Sequence, residues 1–275
     1  MVNDRPPSRL LGDLGADIGR RGALRVLAGG LGASLWSSSA FAAACTVLPE
    51  ETNGPYPADG TNQANGSLVN VLLDSGIVRS DMRTSFGSLS GTASGIQLDL
   101  ELTLVDASKD CAPLAGALIY LWHCTSDGVY SVYNLTDQNY LRAAGVADDS
   151  GVVKFTTIYP GCYRGRLPHI HFEIYPDQSS ATGYESRLIC SQLALPDDIS
   201  RALYESADGY ADSLAPFEEM SISTDNVFSD NTAEQLAAQT LAITGSADAG
   251  FKGTVSIALD TTVSPKLSGG PPPPS

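Results

Sequence analysis

The chain has 275 residues, 43% of them apolar, enough for one large domain or two small ones and too apolar to be disordered throughout. It carries 16 Lys+Arg against 31 Asp+Glu, a net charge of −15, which argues against nucleic acid or an anionic membrane as the main partner. The charge is uneven: residues 1–44 hold five Arg against three Asp, so the remainder is more acidic still, at −17.

The basic segment reads as an address. Residues 19–25 are Gly-Arg-Arg-Gly-Ala-Leu-Arg, followed by an apolar run from Val26 to Trp36 and small residues from Ser37 to Ala44, with Ala40-Phe41-Ala42 as a cleavage pattern. Arg20-Arg21 just before the apolar run is the twin-arginine arrangement. The run is too short to span a bilayer, and Gly29, Gly30 and Gly32 weaken it as a helix of the fold. The expectation is an exported protein, periplasmic or extracellular. Ala42-Ala43-Ala44-Cys45 leaves lipid anchoring at Cys45 as a second reading, the only route to a membrane. Export permits disulfides, and the five cysteines (45, 111, 124, 162, 190) leave at least one unpaired. Cys45, Cys111 and Cys124 are the best pairing candidates, and without Cys-x-x-Cys a thiolate zinc site is improbable.

Residues 50–95 show little periodicity and are expected to be long loops. Ile96, Leu98, Leu100, Leu102 and Leu104 then alternate with polar residues, which predicts a strand with one buried face. Ala117–Cys124 suits a central strand, Val153 and Phe155 mark another, and Ile170, Phe172 and Ile174 share one face of the next. The opposite face of that strand carries His169, His171, Glu173 and Tyr175. A short helix is expected from Pro196-Asp197-Asp198 to about Glu205, and a last strand around Phe251, Val255, Ile257 and Leu259. Short strands between Gly, Pro and Asp turns predict an all-β fold, a β-sandwich with long active-site loops and one or few short helices. The predicted organisation is an export signal at 1–44, a catalytic domain at 45–262 and a disordered Pro-rich tail at 263–275.

Only three histidines exist, at 123, 169 and 171. Residues i and i+2 of a strand point the same way with Cα atoms about 7 Å apart, so His169 and His171 can reach one ion. A bare His-x-His is as often two half-exposed sheet residues, so its surroundings must choose. The further His, Asp or Glu ligands of a cupin or an amidohydrolase are missing, and His123 sits in an apolar strand. Tyrosines remain: Gly128-Val129-Tyr130 follows Trp122-His123-Cys124, and Pro160-Gly161-Cys162-Tyr163 precedes the two histidines.

At this point the sequence resembles the intradiol ring-cleavage dioxygenases, the family of protocatechuate and catechol dioxygenases. The resemblance runs as an ordered series over roughly residues 50–175. It includes Thr52-Asn53-Gly54-Pro55-Tyr56, Arg79-Ser80-Asp81-Met82-Arg83, Pro113-Leu114-Ala115-Gly116-Ala117 and the two tyrosine segments. It ends on Arg166-Leu167-Pro168-His169-Ile170-His171-Phe172. The chain departs from the protocatechuate and catechol enzymes in a shorter stretch between Tyr163 and His169, and in having no room before Ile96 for a helical dimerisation segment. Both features resemble the family's exported branch.

The resemblance implies Fe(3+) held by Tyr130, Tyr163, His169 and His171, with Tyr163 doubling as internal base and Arg166 steadying negative charge on the ring. It implies a role in aromatic compound catabolism, in which catechols are opened with O2 between their hydroxyl-bearing carbons to give muconate-type diacids. His123 is given no ligand role. Arg142 and Arg164 are candidate partners for a carboxylated catechol, with surface charge the plainer reading. The oligomeric state is open, a homo-oligomer included. Two other classes compete: a non-catalytic exported β-sandwich that binds carbohydrate or protein, and a zinc hydrolase using His169 and His171.

Overall fold

The computed structural model describes residues 45–265; residues 1–44, where an export signal is expected, and the last ten residues of the chain lie outside the described residues. The regular structure of the described residues is mostly strand, with three short α-helices. Strand β1 (Asp59–Ala64) forms a hairpin with β2 (Ser67–Asn70). There follow β3 (Gln97–Asp106), β4 (Ala112–Pro113), β5 (Leu118–Trp122), β6 (Arg142–Val146), β7 (Val152–Ile158), β8 (His169–Tyr175) and β9 (Ile189–Ala194). Helices α1 (Asp197–Ser206), α2 (Ala211–Glu218) and α3 (Ala233–Gln239) then lead to β10 (Ala242–Ser246) and β11 (Gly250–Leu259).

Two larger sheets result. In one, β3 pairs parallel with β11 on one side and antiparallel with β7 and β4 on the other, while β10 extends β11. In the other, the order is β6-β5-β8-β9, antiparallel throughout. The alternation in β3 is the cause of its placement: Leu98, Leu100, Leu102 and Leu104 are buried and Gln97 and Glu101 exposed. Those leucines share one apolar core with Phe155 of β7, Ile119 and Leu121 of β5, and Ile170, Phe172 and Ile174 of β8.

The four-stranded sheet is covered on its other face as well, which explains why β5 and β8 are buried along their whole length. Leu118, Tyr120 and Trp122 form a second apolar cluster there with Val71, Ile77, Phe86 and Tyr130. The covering layer comes largely from residues 50–95, and it is not all loop. Asn65-Gly66, with φ of 51° and 76°, makes the two-residue turn of the β1–β2 hairpin. The expected helix is present as α1; α2 and α3 are additional.

Cys45 forms a disulfide with Cys111, whereas Cys124, the third candidate, is a free buried thiol, as are Cys162 and Cys190. Cys124 lies at the end of β5 with its sulfur directed to the Gly161 carbonyl, so it holds two loops together without a covalent bond.

Candidate active site

The covered face of the four-stranded sheet carries the site. His169 and His171 project side by side from the start of β8, with ring centroids 4.7 Å apart. Tyr130 comes from the loop after β5, and Tyr163 and Arg166 come from the loop between β7 and β8. All five meet at His169 Nε2. Around it lie His171 Nε2 at 3.1 Å, Tyr163 Oη at 3.2 Å, Arg166 Nη1 at 3.4 Å and Tyr130 Oη at 3.5 Å.

The local sequence makes this meeting possible. Gly128 has φ of 83°, and a Cβ there would stand 2.8 Å from the Cys162 carbonyl oxygen, so the two tyrosine loops touch backbone to backbone. Ser213 of α2 ties the same loops: its hydroxyl donates to the Ser126 carbonyl at 2.8 Å and accepts from the Cys162 amide at 2.9 Å. Gly128→Ala combines strain at positive φ, about 1–2 kcal/mol, with a backbone clash. It is expected to cost roughly 2–4 kcal/mol of stability, which urea denaturation measures, and to separate Tyr130 from Tyr163.

The histidines are held differently. His169 Nδ1 donates to the Leu167 carbonyl at 2.6 Å, which places the proton on Nδ1 and leaves the Nε2 lone pair facing the cluster. His171 lies parallel to Trp122 at 4.8 Å, and Gly54, with φ of 68°, approaches the ring closely enough that a Cβ would reach 3.3 Å from Cε1. Its Nδ1 has no hydrogen-bond partner among the described residues. Burial, with the Arg166 charge nearby, lowers His169 to about 3, and burial drives His171 well below the usual imidazole range. Both rings are therefore neutral and available as ligands. Burial raises the Tyr163 phenol to about 12, with Arg166 opposing, and raises Tyr130 well above the usual phenol range. Tyr56 stacks on Tyr130 at 4.6 Å and fixes its ring.

Arg166 is anchored through two of its three guanidinium nitrogens. Its Nε donates to both Asp225 oxygens at 3.1 and 3.3 Å, and Nη2 donates to Gln192 Oε1 at 2.6 Å. Asp225, Gln192, Ser213, Trp122 and Tyr56 escaped the sequence reading of site function. Trp122 is signalled only by its register opposite His171, which pairing of β5 with β8 creates. The other basic candidates lie elsewhere. Arg142 is wholly buried and donates to Ser131, the Pro57 carbonyl and Tyr120, a clamp on the Tyr130 loop. The Arg164 side chain is 79% exposed and pairs with Glu219. It is a surface charge outside the cluster. His123 donates from Nδ1 to the Cys124 carbonyl and accepts from Thr157, both at 2.7 Å, and stays outside the cluster.

No group of three His, Cys, Asp or Glu gathers among the described residues; here the third and fourth donors are phenols. The donors nevertheless fit a cation. One lone pair on His169 faces four polar neighbours and cannot bond them all, whereas an ion would take the lone pairs of two imidazoles and two phenolates together. Phenolate oxygen with imidazole nitrogen suits a hard, highly charged metal. Trp122 is completely buried, so the described residues present no exposed tryptophan on which a sugar would stack.

A β-rich domain with a buried tyrosine–histidine cluster is the class defined so far, and comparison with known proteins narrows it. Residues 80–200 match the family model described as Dioxygenase. The solved structure of an intradiol ring-cleavage dioxygenase from Tetranychus urticae is 22% identical, with a TM-score of 0.57 over 80% of this chain and 97% of that one. A crystal structure described as a dioxygenase is also 22% identical over the same shares, with a TM-score of 0.61. At this identity the likeness establishes the fold. No curated protein sequence matches the chain. The resemblance read from the motifs thus holds: this chain resembles the intradiol ring-cleavage dioxygenases both in its family domain and in its fold.

Proposed function

We propose that the domain is a ferric intradiol dioxygenase of exported type, built on a sandwich of the two larger sheets and acting on catechols in aromatic compound catabolism. The observation that carries the reading is the convergence of Tyr130, Tyr163, His169 and His171 on one point beside Arg166. When bound, ferric ion supplies a Lewis-acidic centre at which a catecholate becomes reactive toward O2 at a hydroxyl-bearing carbon.

The chain's own residues do the rest. Neutral His169 and His171 offer lone pairs without adding charge. Tyr130, buried and stacked under Tyr56, is the permanent phenolate. Tyr163 is partly exposed, and its naturally high proton affinity makes it the acceptor for a catechol proton once its oxygen is freed. With Tyr130 and Tyr163 as phenolates and both histidines neutral, the four residues would offset two of the three charges of a ferric ion, leaving little uncompensated charge in a buried site.

Arg166 directs a guanidinium edge at this point while Asp225 neutralises it, so the cluster gains a hydrogen-bond donor and little net charge. With Arg142 buried and Arg164 paired at the surface, the described residues offer a ring carboxylate no cation of its own. Catechols without a carboxylate are the favoured class. The Cys45–Cys111 disulfide suits an oxidising compartment, and a thiol so engaged is not free to carry lipid.

The test is to load the domain with ferric ion and follow colour and O2 uptake. A tyrosinate charge-transfer band is expected, together with a kcat/KM for catechol at least about tenfold above that for protocatechuate, the equivalent of 1.4 kcal/mol in transition-state binding. A fully metallated, colourless protein that consumes no O2 with any catechol would refute the proposal.

A further inference from the structure

We infer that Asp225 is a positioning residue that aims Arg166 and fixes the orientation of His169. It lies outside residues 80–200, the part that matches the family model, in the irregular segment between α2 and α3. The inference rests on the reading of the cluster as a ferric site and concerns how this chain's own C-terminal segment supports it.

Asp225 is completely buried, and both of its oxygens are occupied. Oδ1 accepts from the Val227 and Phe228 amides at 2.9 and 3.0 Å, which seats the carboxylate on its own turn. Oδ2 accepts from the Leu167 amide at 2.7 Å and from Arg166 Nε at 3.1 Å. With Nε held by Asp225 and Nη2 by Gln192, Nη1 is the guanidinium nitrogen left to face His169 Nε2. Phe228, on the same turn, lies against the guanidinium with its ring centroid 5.7 Å from the central carbon. The aim of Arg166 is therefore set from the 225–228 turn.

The second connection passes through Leu167. Asp225 holds its amide, and its carbonyl accepts the His169 Nδ1 proton. One carboxylate thus governs both the guanidinium beside the cluster and the residue that fixes the tautomer and rotation of a ligand histidine. Partners of this kind commonly change metal affinity or activity by 10–100-fold when removed. A merely structural cap would show its loss in stability alone, and the connection to two site groups makes a different demand.

Asp225→Asn keeps the shape, removes the charge and offers an N–H where acceptors are required. In the iron-loaded protein it is expected to shift the tyrosinate band, to weaken anaerobic catechol binding by about 10–100-fold and to raise KM in proportion. In an Arg166→Met background the same substitution should have less effect on catechol binding, because the aim it controls is already lost. Asp225→Glu retains the charge but displaces the carboxylate by one methylene; it guards against an Asn variant that does not fold and is expected to shift the same band and raise the same KM. If both folded variants melt earlier yet keep ferric affinity, band position and anaerobic catechol affinity within twofold of wild type, the inference is overturned. A wild-type protein that takes up no ferric ion overturns the reading of the site itself, a distinct outcome visible before any variant is made.

Discussion

His169→Ala is expected to lower the affinity for ferric ion by more than about 100-fold, beyond the 10–100-fold typical of a residue that only supports a ligand. Its Nε2 is the atom around which the other three donors and Arg166 are arranged. On the proposed reading, removing it takes away one ligand and the reference point of the rest. Iron content after gel filtration and loss of the visible band measure the effect. The control is His123→Ala. That ring makes two hydrogen bonds of 2.7 Å deep in the core and touches none of the donors. Its loss strands the Cys124 carbonyl and the Thr157 hydroxyl, at a cost of roughly 1–3 kcal/mol in stability. Iron should remain stoichiometric in that variant. Equal loss of iron from both would mean that the cluster does not define the binding site. The same pair of histidines would serve a zinc hydrolase, and Tyr130→Phe separates the cases. A phenolate ligand makes that substitution change the colour and weaken ferric binding, whereas a zinc site built on imidazoles would keep its metal.

What the sequence disclosed follows from how local each signal is. Tyr130, Tyr163, Arg166, His169 and His171 sit in short motifs whose order along the chain is informative, and the structure brings them within one hydrogen-bonding distance of a common atom. The β3 alternation was legible because one face of that strand is buried and the other wet. In β8 both faces are buried, so the histidine face could be read but its cover could not. The β1–β2 hairpin carried its signal in Asn65-Gly66. Its flanks, Asn62-Gln63 and Ser67-Leu68, have no alternating apolar face, and the segment therefore read as loop. Trp122, Ser213 and Asp225 were beyond reach for a different reason. Each acts on residues 49 to 87 positions away or on a neighbouring strand, through strand register or a tertiary hydrogen bond, and no residue beside it in sequence indicates that contact. Cys124 shows the converse: a plausible disulfide candidate by composition is, in the fold, a thiol packed at the end of β5.

Arg187→Met is expected to be the most destabilising single change behind the site, at about 3–5 kcal/mol, the usual cost of removing one partner from a buried ion pair. The Arg187 side chain is 1% exposed, donates to Glu173 Oε1 at 2.8 Å and lies 3.9 Å from Asp59 and 3.6 Å from Glu50. Glu173 and Asp59 are both completely buried, and without the guanidinium they face each other uncompensated. Burial and the Asp59 charge already push Glu173 well above the usual carboxylate range, with Arg187 the main opposing influence. Its removal would leave Glu173 protonated and the Tyr175 hydroxyl bond to Oε2 altered. At 2–4 °C per kcal/mol for a domain of this size, Tm should fall by roughly 6–20 °C. Arg187→Met with Glu173→Gln should recover part of that loss, because a neutral amide replaces a carboxyl that must otherwise take up a proton beside Asp59. A double-mutant cycle with no coupling between the two positions would refute the account. The effect is also expected to reach the metal site. Asp59 accepts from Asn53 Nδ2 at 3.0 Å, and the residue after Asn53, Gly54, lies against the edge atoms Cε1 and Nε2 of His171. At temperatures where the Arg187→Met protein is still folded, it should therefore bind ferric ion more weakly than wild type, by less than the His169→Ala protein does. The buried ion pair acts on iron only through the seat of His171, and removes no ligand.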